Sequence, residues 1–187
     1  MEFVDPIKDI EAINKLKKLL KKKSKRNYLL FVLGINTGIR INDLIQLKVE
    51  DVWTGEKVRE LLIITDNKHY KGRPFYLNSQ VQHALNSYFL EANLKDTDFL
   101  FSSKKSSLPI SRQQAYRIIN HAAKEVGIPG KIGTHTIRKT FGYHAYTKGI
   151  AISILQTIFG HTSSTETLKY LGIDKRDSHV IKVDVNL

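Results

Sequence analysis

Apolar residues recur at helical spacing from the start of the chain, at Ile7, Ile10, Ile13, Leu16, Leu19 and Leu20. That period predicts an amphipathic helix, with Asp5 as its N-cap and Pro6 at its first position. The polar run Lys21-Lys22-Lys23-Ser24-Lys25-Arg26 then reads as a connection. Tyr28 to Ile35 is nearly all apolar and predicts a buried helix, closed by Gly38 at a left-handed position. Asn42 reads as the cap of a short helix carrying Leu44, Ile45 and Leu47.

Beyond Leu47 the period shortens. Val49 to Trp53, Val58 to Thr65 and Pro74 to Leu77 are rich in residues that favour strands, with turns at Thr54–Lys57 and Asp66–Gly72. They predict a small three-stranded antiparallel sheet. Helical spacing then returns. Ser79 caps a helix with Val81, Ala84, Leu85, Tyr88 and Phe89 on one face. Ser102 to Pro109 reads as a polar loop. Ser111 caps a helix ended by Gly127 and Pro129, and Thr134 caps one closed by Gly149. Ile150 to Phe159 forms another, stopped by Gly160, and Ser163 or Ser164 begins a last short helix that contains Tyr170. The chain reads as α+β, mainly helical. One domain is expected over 1–175 and a polar tail over 176–187.

With 187 residues, 41% of them hydrophobic, one real core fits and a second large domain does not. No apolar run reaches the ~20 residues of a membrane span. The N-terminus lacks a basic stretch before an apolar one, so no secretory signal is read and the cytoplasm is the expected location. The absence of cysteine excludes disulfides, a thiolate nucleophile and a cysteine zinc site. Charge changes the picture most. A net +12 favours a polyanionic partner, nucleic acid or an acidic membrane surface. Of the 30 basic residues 22 are Lys and 8 are Arg, so each planar guanidinium merits inspection.

Candidate chemistry gathers in three places. His135 and Arg138 stand three apart on a predicted helix, hence on one face, near an N-terminus whose backbone N–H groups favour an anion. The bland alternative is a capped helix with incidental polar residues. Gly160-His161-Thr162 is followed nine residues later by Tyr170, and each taken alone is ordinary. Upstream, Arg40 follows the glycine that ends a buried helix and needs an anion. Asp43 is either its simple ion-pair partner or the group that orients it toward a phosphate.

Together these pieces resemble the tyrosine recombinase (phage integrase) family. Thr37-Gly38-Ile39-Arg40 with Asp43 resembles the family's first box. His135-Thr136-Ile137-Arg138, Leu155, Phe159-Gly160-His161-Thr162 and Tyr170 resemble the second. The family also carries a lysine in a β-hairpin turn, nine residues before the Leu that ends the next strand. Counting back from Leu77 gives Lys68, with Lys71 as the alternative. The resemblance runs from about Thr37 to Leu171. It departs at Asp43, where Glu is commoner, and at Phe75-Tyr76, where Val-Pro is typical. Family members usually carry a separate DNA-clamping domain first, so the sequence is either a piece of such a protein or similar to short single-domain members such as DNA invertases.

The resemblance implies a catalytic set of Arg40, Lys68, His135, Arg138, His161 and Tyr170, supported by Asp43, and a phosphotyrosyl intermediate. No cofactor, metal or ATP is implied. The implied partner is double-stranded DNA, bound by a homotetramer, with a monomeric free state open. Lys71, Arg73, Lys139 and Lys169 are further candidates for DNA contact. The rival readings are a type IB topoisomerase-like enzyme, which would relax plasmid without a specific site, and a non-catalytic DNA-binding module.

Overall fold

The computed structural model describes residues 4–65, 72–103 and 106–173. Lys68, Lys71 and the expected tail at 176–187 lie outside them.

The first helix, α1, runs Ile10–Lys23, not from Pro6. Asp9 is its cap, accepting from the Glu11 amide at 2.8 Å. Ile7 is buried as expected, but in the segment before the helix, where its amide donates to the Thr140 hydroxyl at 2.9 Å. The basic run is not a loop either. Ser24 ends α1 and caps α2, Lys25–Thr37, so the lysines sit at a helix C-terminus, where the macrodipole favours cations. Several are used inside the fold: Lys23 pairs with Glu125, Lys25 with Glu91 at 2.5 Å, and Arg26 donates to the Ser102 carbonyl.

Helix α2 is the organising element. Leu29, Leu30, Val32 and Leu33 face a large cluster that includes Leu44, Leu62, Leu77, Leu85, Leu100 and Phe101. Phe31 faces a second cluster with Leu16, Leu20, Ile119 and Ile137. Gly38 ends the helix at φ 67°, left-handed as the sequence requires. Next come α3 (Ile41–Ile45) and α4 (Val49–Val52).

The segment Val49–Trp53 is therefore not the first strand of a sheet. Asp51 accepts from the Lys48 amide at 2.8 Å, which closes a helical turn and outweighs the β propensity of the two valines. Only Trp53 makes a bridge, to Val58. Among the described residues the sheet has two antiparallel strands, β1 (Leu61–Thr65) and β2 (Gly72–Tyr76), in register from Leu61 opposite Tyr76 to Thr65 opposite Gly72.

Helix α5 spans Ser79–Phe89 and is capped by Asn78 rather than Ser79. Ser111 and Gln114 form a capping box that starts α6, Arg112–Glu125. Helix α7 is Thr134–Thr147, with Gly133 in the cap position and Thr134 as its first residue. Helices α8 (Ile152–Phe159) and α9 (Ser164–Leu171) complete the fold, α9 starting from Ser163. They share a small third cluster of Leu155, Phe159 and Leu171.

Two glycines let α7 sit at the centre. A Cβ on Gly34 would lie 2.5 Å from Ile137, and one on Gly142 would lie 2.5 Å from Leu171 and 2.6 Å from Phe159. Both would clash, so glycine permits the close approach of α2 on one side and of α8 and α9 on the other. No helix among the described residues is long and apolar enough to cross a membrane.

Candidate active site

A cleft of about 410 Å³ opens where α3, α6, α7 and α9 meet, and Arg40, Arg112, His135, Arg138, His161, Glu166 and Tyr170 line it. Five of the six residues the sequence assigns to catalysis therefore converge. The sixth, Lys68, lies outside the described residues, as does Lys71.

Arg138 is the best-held member. It is 8% exposed, and its guanidinium donates to the carbonyl of Gly38 and, at 3.2 Å each, to those of Ile158 and Phe159. Those carbonyls are the C-terminal ends of α2 and α8, where helix dipoles are negative. Glycines in left-handed conformation, Gly38 and Gly160, end both helices and leave the carbonyls aimed at the arginine. The Phe159 ring lies 4.7 Å from the guanidinium carbon. Burial pulls the Arg138 pKa down to about 10. The charge of Tyr170 opposes this, Arg40 and Arg73 add to it, and Asp43 opposes it. Arg138 remains cationic at neutral pH.

Arg40 is exposed and donates to the Phe159 carbonyl at 3.3 Å, so one backbone oxygen links the two arginines. The Arg40–Asp43 ion pair, one of the two roles open to Asp43 in the sequence, is not formed among the described residues. Asp43 lies in the first turn of α3, and its charge reaches Arg138. Asn42 is not the cap of α3; Arg40 occupies that position, in extended conformation.

His135 and Arg138 share a face of α7, as the spacing predicts. The His135 ring nitrogen Nε2 is 3.3 Å from Arg112. Its pKa is lowered by burial first, then by Arg112, Arg138 and Lys139. His161 Nδ1 lies 3.0 Å from the hydroxyl of Thr167, which also reaches the Ser163 carbonyl at 3.2 Å. Both bonds are made together when the hydroxyl donates to Ser163 and accepts from Nδ1–H. Nε2 is then the nitrogen that exchanges a proton. Burial lowers the His161 pKa, Glu166 opposes this, and Arg138 and Arg40 reinforce it. Glu166 accepts from the Thr162 amide and hydroxyl at 2.9 and 3.0 Å and so braces the loop that carries His161.

Tyr170 packs its ring 5.0 Å from that of His161 and 5.3 Å from Phe159. Burial raises its pKa, while the charge of Arg138, a hydrogen bond from it, and Arg40 draw the pKa back. Three groups at this site escaped the sequence reading, Glu166 among them. Arg112 reaches His135 only through the packing of α6 on α7. Thr167 is 0% exposed and carried no signal beyond its place three residues before Tyr170. Arg73, on β2, lies near enough for its charge to act on Arg138. Lys169 is exposed on α9. Lys139 is 5% exposed, with its ammonium 5.0 Å from the centre of the Tyr170 ring, so it faces the ring rather than solvent.

The chain matches the phage integrase family over residues 7–176. It is 40% identical over 175 residues to the probable integrase/recombinase YoeC of Bacillus subtilis, covering 94% of this chain and 93% of that protein. It is 30% identical to a tyrosine recombinase of Pseudothermotoga lettingae over 89% of its own length and 57% of the relative's. In fold it is similar to the crystal structure of XerA recombinase, with a TM-score of 0.75 at 24% identity, over 94% of this chain and 62% of that one. A XerH site-specific recombinase bound to palindromic difH substrate in a post-cleavage complex is similar too, with a TM-score of 0.71 at 23% identity, over 90% of this chain and 49% of that one. The chain spans nearly all of YoeC but half to two thirds of the other proteins named. With its cleft of two arginines, two histidines and a tyrosine, and its match along nearly its whole length, the chain belongs to the phage integrase family.

Proposed function

We propose that the chain is the catalytic domain, over 1–175, of a site-specific DNA recombinase that breaks and rejoins strands through Tyr170. The observation that carries this reading is the placement of the Tyr170 phenol beside Arg138 and His161 in a cationic cleft with Arg40. A phosphodiester is an anion whose transition state gathers more charge on the non-bridging oxygens, so preorganised cations are the main requirement. Arg138 and Arg40 meet those oxygens, their guanidiniums already oriented by the Phe159 carbonyl. The incoming anion favours protonation of His161, which then donates from Nε2.

The phenol oxygen attacks phosphorus, and His135, neutral at pH 7, accepts the phenolic proton. The bond to the 5′ oxygen breaks as that oxygen takes a proton from Lys68. A 3′-phosphotyrosyl link and a free 5′-hydroxyl remain. The phosphoryl bond is conserved in this link, so a partner strand's 5′-hydroxyl reverses the step without ATP. Asp43 supports Arg138 through its charge, and Arg73 and Lys169 are candidate backbone contacts. A tetramer on DNA is the assembly in which two strand exchanges proceed. The compartment is that of the DNA, the cytoplasm of a bacterium.

The test is trapping on a nicked suicide substrate carrying DNA from the flanking locus. The wild-type chain forms a covalent adduct and Tyr170→Phe forms none while still binding DNA. An adduct that survives Tyr170→Phe overturns the assignment.

A further inference from the structure

Lys139 follows Arg138 on α7 and is 5% exposed, an expensive place for an ammonium group. Two features surround it. Its Nζ lies 5.0 Å from the centre of the Tyr170 ring. The strap that precedes α1 is pinned along the same helix. The Lys8 ammonium lies 5.1 Å from the Tyr143 ring, the Ile7 amide donates to Thr140 at 2.9 Å, and His144 Nε2 is 2.9 Å from the Ile7 carbonyl. Followed back from Lys8, the strap brings Asp5 near Lys139, where its charge offsets the lowering of the lysine's pKa by burial. The Lys139 ammonium thus stands over the face of the Tyr170 ring, and the charge of Asp5 opposes the lowering of its pKa by burial.

We infer that Lys139 is a positioning residue for Tyr170, its ammonium seating the phenol ring and stabilising the phenolate. The inference deepens the proposed function, resting on Tyr170 as the nucleophile. A cation on the face of an aromatic ring is attracted by its π electrons, and a phenolate ring is richer in them than a phenol. The contact is therefore stronger in the ionised form, and that difference favours ionisation. The other charged and titratable groups that share the cleft with Tyr170 are His135 and Arg138 on α7, Arg112 on α6, Arg40 before α3, His161 in the loop between α8 and α9, and Glu166 on α9 itself. Arg40 and Arg138 line the cleft and are offset once a phosphate occupies it. Lys139 does not line the cleft; its ammonium stands over the Tyr170 ring instead.

The test titrates the full chain carrying 3-fluorotyrosine, whose phenol is more acidic, by ¹⁹F NMR. The Tyr170 resonance is the one lost in Tyr170→Phe. Lys139→Met keeps the side-chain length and removes the charge, and Lys139→Gln does so with a polar end if the first variant does not fold. In the neutral variant that folds, the Tyr170 midpoint moves to higher pH by roughly one unit, the size of one unit charge at this distance under partial screening. Lys139→Arg leaves it near the wild-type value, and the other tyrosines keep theirs. Coincident Tyr170 midpoints in wild type and the neutral variant overturn the inference. The titration needs no DNA, so failure to form a covalent adduct would count against the nucleophile assignment and leave this result standing.

Discussion

Gly142→Ala should separate two effects that one methyl group produces in opposite directions. Gly142 lies inside α7, so alanine strengthens that helix by about 1 kcal/mol. The same methyl would stand 2.5 Å from Leu171 Cδ2, 2.6 Å from Phe159 Cζ and 2.8 Å from Phe159 Cε2. The Phe159 ring cannot easily yield, since Phe141, His161, Tyr170 and Arg138 all pack around it. Helix α9 must therefore move. Overpacking of this kind costs about 1–3 kcal/mol. The buried Leu171, a main anchor of α9, contributes only about 1.5–3 kcal/mol. The docking of α9 should weaken by that overpacking cost, roughly 5- to 150-fold in its equilibrium. Hydrogen exchange reads both effects. Amides of α9 should exchange faster by that factor, while those of α2 and the middle of α7 stay level or slow. Since Tyr170 rides on α9, adduct formation should fall with α9 protection. Unchanged α9 exchange in a folded Gly142→Ala protein would refute the reasoning that a bare α7 surface docks the helix carrying Tyr170.

Other expectations follow from the same geometry. Thr167→Val removes the hydroxyl that His161 Nδ1 meets at 3.0 Å, so adduct formation should drop at least tenfold with little change in DNA affinity; equal loss of both would point to misfolding instead. The folded-state pKa of His161 is lowered, so its neutral form is the one favoured by folding. The stability this contributes is complete above the unfolded pKa, about 6.5, and is lost as pH falls through the lower folded value. The melting temperature should therefore decline on acidification below about 6.5, less steeply in His161→Gln; parallel curves would remove the argument. Arg138→Lys keeps a charge but cannot span the carbonyls of Gly38, Ile158 and Phe159, and should destabilise the fold by about 1–3 kcal/mol in a denaturant titration. DNA affinity should fall with a log–log salt slope of about −0.9 per phosphate contacted, and a flat dependence would contradict a cationic phosphate site.

Much of this protein is legible in its sequence where the physics is local. Helical periodicity placed α2, α5, α6, α7 and α8 to within a few residues, because a buried stripe must recur every three to four positions. Left-handed closure at Gly38 and Gly160 was readable because other residues are strained there. His135 and Arg138 share a face for the same local reason. Local reading failed where side chains compete for backbone groups. Asp9 took the cap expected of Asp5, Asn78 that of Ser79, and Asp51 turned a valine-rich stretch into a helix.

What the tertiary structure alone decided is which groups meet. Arg40 is held by the Phe159 carbonyl of a helix more than a hundred residues away, not by its neighbour Asp43. Arg112 joins His135, and Lys139, a candidate DNA contact in the sequence, turns inward to the Tyr170 ring. Spacing along a chain fixes direction only within one helix. Contacts between helices depend on which faces can approach, and Gly34 and Gly142 settle that by having no side chain where α7 meets its neighbours. The sequence thus determined the chemistry the chain could carry. Packing around α7 determined the arrangement that brings those groups to one cleft.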